Sequence, residues 1–213
     1  MNPYKILICV SFFDETIGYQ EVHLANILSE IGHNVMVLTS DRSLFTKNRL
    51  KAMNNGKYKI VRINRNLRII DTILPLKSLK KPINEFNPDI ALIIHVGHGI
   101  PYFSLKYLDN QVKIISIFGS LTKHNSFRKK VIQKTFKDRW FYNTFQKSDL
   151  IVANTNETVE ILREKAKYKK QITEKIFRSS LGFDPEKFYY SDNMRNLIRK
   201  KFNFSDNQKV FCT

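Results

Sequence analysis

Two histidines, His95 and His98, stand three residues apart directly after the apolar run Ile90 to Ile94. Imidazoles in such a place act as hydrogen-bond donors to a ligand, as proton carriers or as metal ligands. No cysteine or carboxylate accompanies the pair, so the spacing argues against a metal centre and for a substrate-facing donor. His98 is the candidate catalytic residue. The loop Ser11 to Gln20 is a second place where chemistry could reside, yet it holds one glycine, Gly18, and no G-x-G-x-x-G. A dinucleotide fingerprint is therefore absent. Asp41, placed where a ribose-binding acid would stand in a nicotinamide enzyme, reads as a polar loop residue or helix cap.

The elements that must position these residues follow from hydrophobic pattern. Short β-rich runs recur at Lys5 to Val10, Asn34 to Leu38, Tyr58 to Ile63, Ile90 to Ile94, Val112 to Ile117, Leu150 to Ala153 and Lys175 to Phe177. Several are continuous Val/Ile/Leu stretches, as expected of strands covered on both faces, and helical segments alternate with them. Between the first two runs, Leu24, Ala25, Leu28 and Ile31 share one helical face and Gly32 supplies a left-handed stop. The expectation is an α/β fold with a doubly wound, mostly parallel sheet flanked by helices. In such sheets ligands sit beyond the carboxyl ends of the strands, where strand order reverses.

Ordered along the chain, several motifs sharpen this. The run KILICVSFFDETIGYQEVHLANILSEIGHNVMVLTSD places Gly18 and Glu21 before a helix, then Gly32, His33, Thr39 and Ser40. FNPDIALIIHVGHG joins Pro-Asp to a strand and a histidine-bearing loop. VKIISIFGSLTKHNSF, DLIVANTNETVEILREK and SLGFDPEKF complete the series. Together they resemble family 4 glycosyltransferases, retaining enzymes of the GT-B fold. The resemblance implies that this chain is the Rossmann-like, acceptor-binding N-terminal half of such an enzyme. It implies a nucleotide-sugar donor as substrate, no separate cofactor, and substrate-binding roles for Gly18, Glu21, His95, Ser120, Thr122 and Lys123, with Lys123 as the cation. Two positions depart from the family: Tyr19 replaces the second loop glycine, and Phe118 stands where the family has a histidine that contacts the donor sugar.

The expected division is an acceptor-binding domain over 1–188, followed over 189–213 by an interdomain helix and the first strand, Val210 to Cys212, of a donor-binding domain whose Glu-x7-Glu element lies outside this sequence. The half alone is expected to be inactive. Thr155 or Asn156 is the expected cap of a helix after the sixth run.

Charge is the loudest compositional fact. Among 213 residues, 36 Lys+Arg against 19 Asp+Glu give a formal net charge of +17. Such a surface favours polyanions, although AT-rich coding also enriches Lys, Asn, Ile and Phe. Arg128, Lys129, Lys130, Lys134 and Lys137 are interleaved with aromatics that include Trp140, a pattern that suits a helix at an anionic membrane interface and a lipid-linked acceptor. The alternative is an amphipathic helix whose aromatics are core. A second basic stretch runs through Arg62, Arg65, Arg68, Lys77, Lys80 and Lys81. No nucleic-acid-recognition signature is present, which argues against nucleic acid. Two cysteines far apart and no spanning segment suit a cytoplasmic protein attached peripherally at the inner face of the membrane. The alternative function is a non-catalytic basic binding module, for a membrane surface or nucleic acid, derived from a half-transferase.

Overall fold

The computed structural model describes residues 2–17, 19–43, 49–50, 56–69, 72–96, 98–119, 138–166, 170–179 and 189–210. Its contacts divide into two units, Met1–Ser180 and Leu181–Thr213.

The first unit is built on a seven-stranded sheet. Strands β1 (Lys5–Cys9), β2 (Asn34–Ser40), β3 (Lys59–Ile63), β6 (Ile90–Ile94), β7 (Lys113–Phe118), β8 (Leu150–Ala153) and β9 (Ile176–Arg178) lie in the order β3-β2-β1-β6-β7-β8-β9. Every pairing is parallel, with Leu7 opposite both Met36 and Ala91. The two intervening strands, β4 (Asn66–Ile69) and β5 (Thr72–Pro75), form a separate antiparallel pair. Each of the seven apolar runs is thus a strand of the sheet, while the β4–β5 pair was not among them.

Alternation along the strands builds two cores. On one face Ile6, Ile8, Val35 and Val37 pack with Val22 and Ala25 of helix α1 (Gln20–Glu30). On the other, Leu7, Cys9, Met36, Ala91 and Ile93 pack with Ile83 of α2 (Lys80–Phe86), Ile100 of α3 (Gly99–Ser104), Phe141 and Phe145 of α4 (Asp138–Lys147) and Leu162 of α5 (Asn156–Ala166). A short α6 (Lys170–Thr173) precedes β9. Neighbouring side chains on a strand point to opposite faces, so continuous apolar runs are what this double covering demands. Cys9 is a free, buried thiol that desolvation pushes up to about 12. Cys212 lies outside the described residues.

Polar residues set the ends of these elements. Asp89 and Asp149, one position before β6 and β8, accept the amides of Lys5 (2.7 Å) and Ile114 (2.8 Å) at the entry of neighbouring strands. Asp89 of the Pro-Asp motif is therefore structural. Gly32 closes α1 at φ +95, as its sequence position suggests. Ile31, expected on the buried face of that helix, is instead exposed, because the helix ends at Glu30 and the chain turns away. Thr155 caps α5, its hydroxyl accepting the Thr158 amide at 3.1 Å.

The β4–β5 pair packs on α3 through Ile73, which is fully buried. Contact is so close at Gly99 that a Cβ there would stand 2.1 Å from the Ile73 carbonyl oxygen. In the second unit, helix α7 (Asp192–Lys201) is capped by Ser191, whose hydroxyl accepts the Met194 amide, and buries none of its own residues. A turn follows, with the Gln208 amide donating to the Ser205 carbonyl. The expected final strand falls largely outside the described residues. Among those described, no helix is long and apolar enough to cross a membrane.

Gly99→Ala is expected to destabilise the first unit by about 2 kcal/mol or more, since backbone on both sides must move to admit one methyl group. Denaturant titration of the two proteins checks this, and an unchanged midpoint would contradict the close approach.

Candidate functional site

Strand order reverses at β1. From β1 the chain crosses to α1 on one face and pairs next with β2, whereas β6 leads to α3 on the opposite face. The two connections diverge, and in doubly wound sheets such a reversal marks the ligand crevice at the carboxyl edge, here between the first turn of α1 and the exit of β6.

Glu21 enters this crevice from the first turn of α1. Its side chain is buried, with the residue 3% exposed, and Oε2 is shielded from solvent with no hydrogen-bond partner. Desolvation raises its carboxyl above the ordinary value, opposed in part by the hydrogen bond from its own amide. Facing it is His95, whose Nε2 lies 3.9 Å from Oε2, too far for a direct hydrogen bond. Although 43% of the His95 side chain meets solvent, desolvation of the remainder lowers its pKa, so the ring is neutral at neutral pH.

The neighbouring strand ends complete the rim. Asn154, after β8, donates to the Gln20 side chain at 3.1 Å and so ties that end of the sheet to the start of α1. Thr158 donates to the Gly119 carbonyl at 3.1 Å. Sequence reading singled out neither Gln20 nor Asn154 as a site residue, and nothing local could have joined them across 134 positions.

His98 is placed differently. It is the N-cap residue of α3, half-buried, with its ring edge-on to Phe12 at 6.1 Å. Arg68 lies over the same Phe12 ring at 5.5 Å. The structure brings Glu21 and His95 together and sets His98 beside Phe12 instead. Gly18, Ser120, Thr122, Lys123, Arg128, Lys129, Lys130, Lys134 and Lys137 lie outside the described residues.

Two expectations are corrected. Trp140, read as an interfacial residue, is buried and stacked on Tyr102 at 5.0 Å, with Phe141 and Phe145 of the same helix also in the core. The aromatic stripe of α4 faces the sheet because that is where its apolar area leaves water. Arg62, read as part of a basic surface, is half-buried and donates to the carbonyls of Phe13 (2.8 Å) and Ser40 (3.3 Å). Phe118 is also core: it is 1% exposed and packs between Phe141 and Phe145. Asp41 proves to be a buried loop anchor, paired with Arg49 at 2.9 Å and accepting from Asn66 at 2.8 Å. No group of three or more potential metal ligands is gathered among the described residues.

The family model of Glycosyltransferase Family 4 matches residues 21–187. Among solved structures, the sucrose-phosphate synthase of Thermosynechococcus elongatus aligns with a TM-score of 0.58 and 12% sequence identity, over 95% of this chain and 53% of that one. At that identity the likeness is one of fold, and the chain spans about half the length of the synthase. No curated protein sequence matches.

A carboxyl whose pKa is raised on folding favours the native state fully below its unfolded pKa, and that contribution is lost as pH rises through the folded value. Glu21→Gln removes the charge and keeps the shape. The variant is therefore expected to match the parent near pH 4 and to exceed it in stability at pH 8, as read by denaturant titration at both values. A gap that does not widen with pH would show that Glu21 is not desolvated.

Proposed function

Because this chain belongs to glycosyltransferase family 4, we propose that it is the acceptor-binding half of a retaining transferase that moves a sugar from a nucleotide sugar to a lipid-linked or saccharide acceptor. The observation that carries this reading is the crevice at the strand-order reversal, where Glu21 and His95 converge. A buried carboxyl beside a neutral, half-exposed imidazole suits recognition of neutral hydroxyl groups far better than of a bare phosphate, which the carboxylate would repel.

Donor phosphates, in this reading, are held mainly by a second domain. Retaining transfer depends on stabilising the departing nucleoside diphosphate, a task for cations and amides placed opposite the acceptor cleft. The net charge of +17 supports a location at an anionic membrane surface, where a lipid-linked acceptor resides. With Trp140 withdrawn into the core, that attachment rests mainly on lysines and arginines and is strongly weakened by salt. The second reading, a non-catalytic basic module, draws on Phe118, which leaves an apolar ring at a position where the resemblance implies a histidine.

With UDP-, GDP- and ADP-sugars as donors and a membrane lipid extract as acceptor, release of nucleoside diphosphate is expected only when a GT-B donor domain is supplied in the same chain or in trans. Release by the present chain alone would contradict the division of labour, and no release in either arrangement would favour the non-catalytic module. Cosedimentation with phosphatidylglycerol-rich vesicles is expected at low salt and lost at high salt. Failure at low salt would remove the membrane from the proposal.

A further inference from the structure

His95 is the residue at which β6 leaves the sheet, and its backbone does two things at once. Its amide still donates to the Ile117 carbonyl at 3.2 Å, continuing the ladder to β7. Its φ of +56 then turns the chain into a conformation that side chains other than glycine rarely adopt. The turn lays the imidazole across the exit of β7, where Cε1 and Nδ1 stand 3.6 and 3.7 Å from the place a Cβ on Gly119 would occupy. Nε2 faces the other way, toward Glu21.

The carboxyl behind the ring is in an unusual position. Its Oε2 is out of reach of solvent and has no hydrogen-bond partner. A ligand cannot touch this oxygen without displacing protein, and the partly exposed imidazole of His95 stands 3.9 Å from it.

We propose that Glu21 and His95 form a carboxylate–imidazole dyad in which Glu21 is the positioning residue and His95 the group presented to substrate. Across 3.9 Å the negative charge of Oε2 favours the tautomer protonated at Nε2, which leaves the Nδ1 lone pair on the side of the ring that faces Gly119. An unprotonated Nδ1 accepts a hydrogen bond, so the group it takes is a hydroxyl, and the ligand class is the sugar or polyol part of a substrate. This ligand class rests on the transferase reading above, while the dyad itself does not. Desolvation of the imidazole lowers its pKa, which keeps the ring neutral near pH 7. A Cβ at Gly119 would stand in ordinary van der Waals contact with the ring, so this position borders the imidazole directly.

Nitrogen-15 NMR of the ring nitrogens tests the dyad in the intact, ligand-free chain. His95 is expected to show a single Nε2-protonated tautomer at pH 7.5. Glu21→Gln, whose amide oxygen still accepts, is expected to retain it, and the apolar Glu21→Leu to give a mixture of tautomers. A mixed tautomer in the parent chain, or an unchanged His95 spectrum in Glu21→Leu, would overturn the proposal. In the transfer-competent arrangement, Glu21→Leu is expected to lower kcat about tenfold with little change in KM, as loss of an orienting partner does. Retention of full turnover by His95→Gln would also overturn it. If no arrangement transfers sugar, the transferase reading falls and the tautomer spectra alone decide the dyad.

Discussion

Everything in the first unit depends on β1 being paired on both sides and covered on both faces. Leu7 is opposite Met36 in one neighbour and Ala91 in the other, and it is fully buried. Side chains at 6, 8 and 10 then feed one core and those at 7 and 9 the other. A strand so placed must give rise to connections that depart to opposite faces, and the gap they leave is the crevice. The site is in this sense a by-product of packing. No residue had to be set aside to open it, only to line it.

Legibility in the sequence tracks how local each cause is. The central strands were readable because double covering leaves a continuous Val/Ile/Leu trace in several runs, and the edge strands from their short β-rich runs. Strands β4 and β5 were not, since Asn66, Arg68 and Pro75 interrupt any such trace and the fully buried Ile73 is hidden by α3. Helix α4 shows a different limit. Periodicity reveals that Trp140, Phe141, Phe145 and the intervening polar residues segregate, but not whether the apolar stripe meets a sheet or a bilayer. At the site, Glu21 could be nominated from the family resemblance and His95 from its place at a strand end. Their pairing is set by the alignment of α1 with β6, across 74 positions, and no spacing rule encodes it.

Some of the chain's charge works inside the fold. Arg62 closes two carbonyls, and Asp41, Asn66, Arg42 and Arg49 form one network at the carboxyl ends of β2 and β3. Such groups hold loops in place and are poor indicators of a partner, because their cost of burial is already offset by the bonds they make. The remaining surplus is what an anionic surface would sense. Composition alone does not separate the two populations.

The two aspartates that precede β6 and β8 have a consequence for how such a protein can change. Asp89 grips the first amide of β1 and Asp149 the second of β7, so the entry edge of the sheet is fastened by short carboxylates whose reach allows one alignment. A slip of a single residue would exchange the inward and outward faces of a strand and empty the core. With that end clamped, the opposite end is relieved of any duty to hold the strands in step. Loops there can lengthen, shorten or trade residues without endangering the sheet, which lets a lineage explore new substrates from a frame whose alignment is fixed elsewhere.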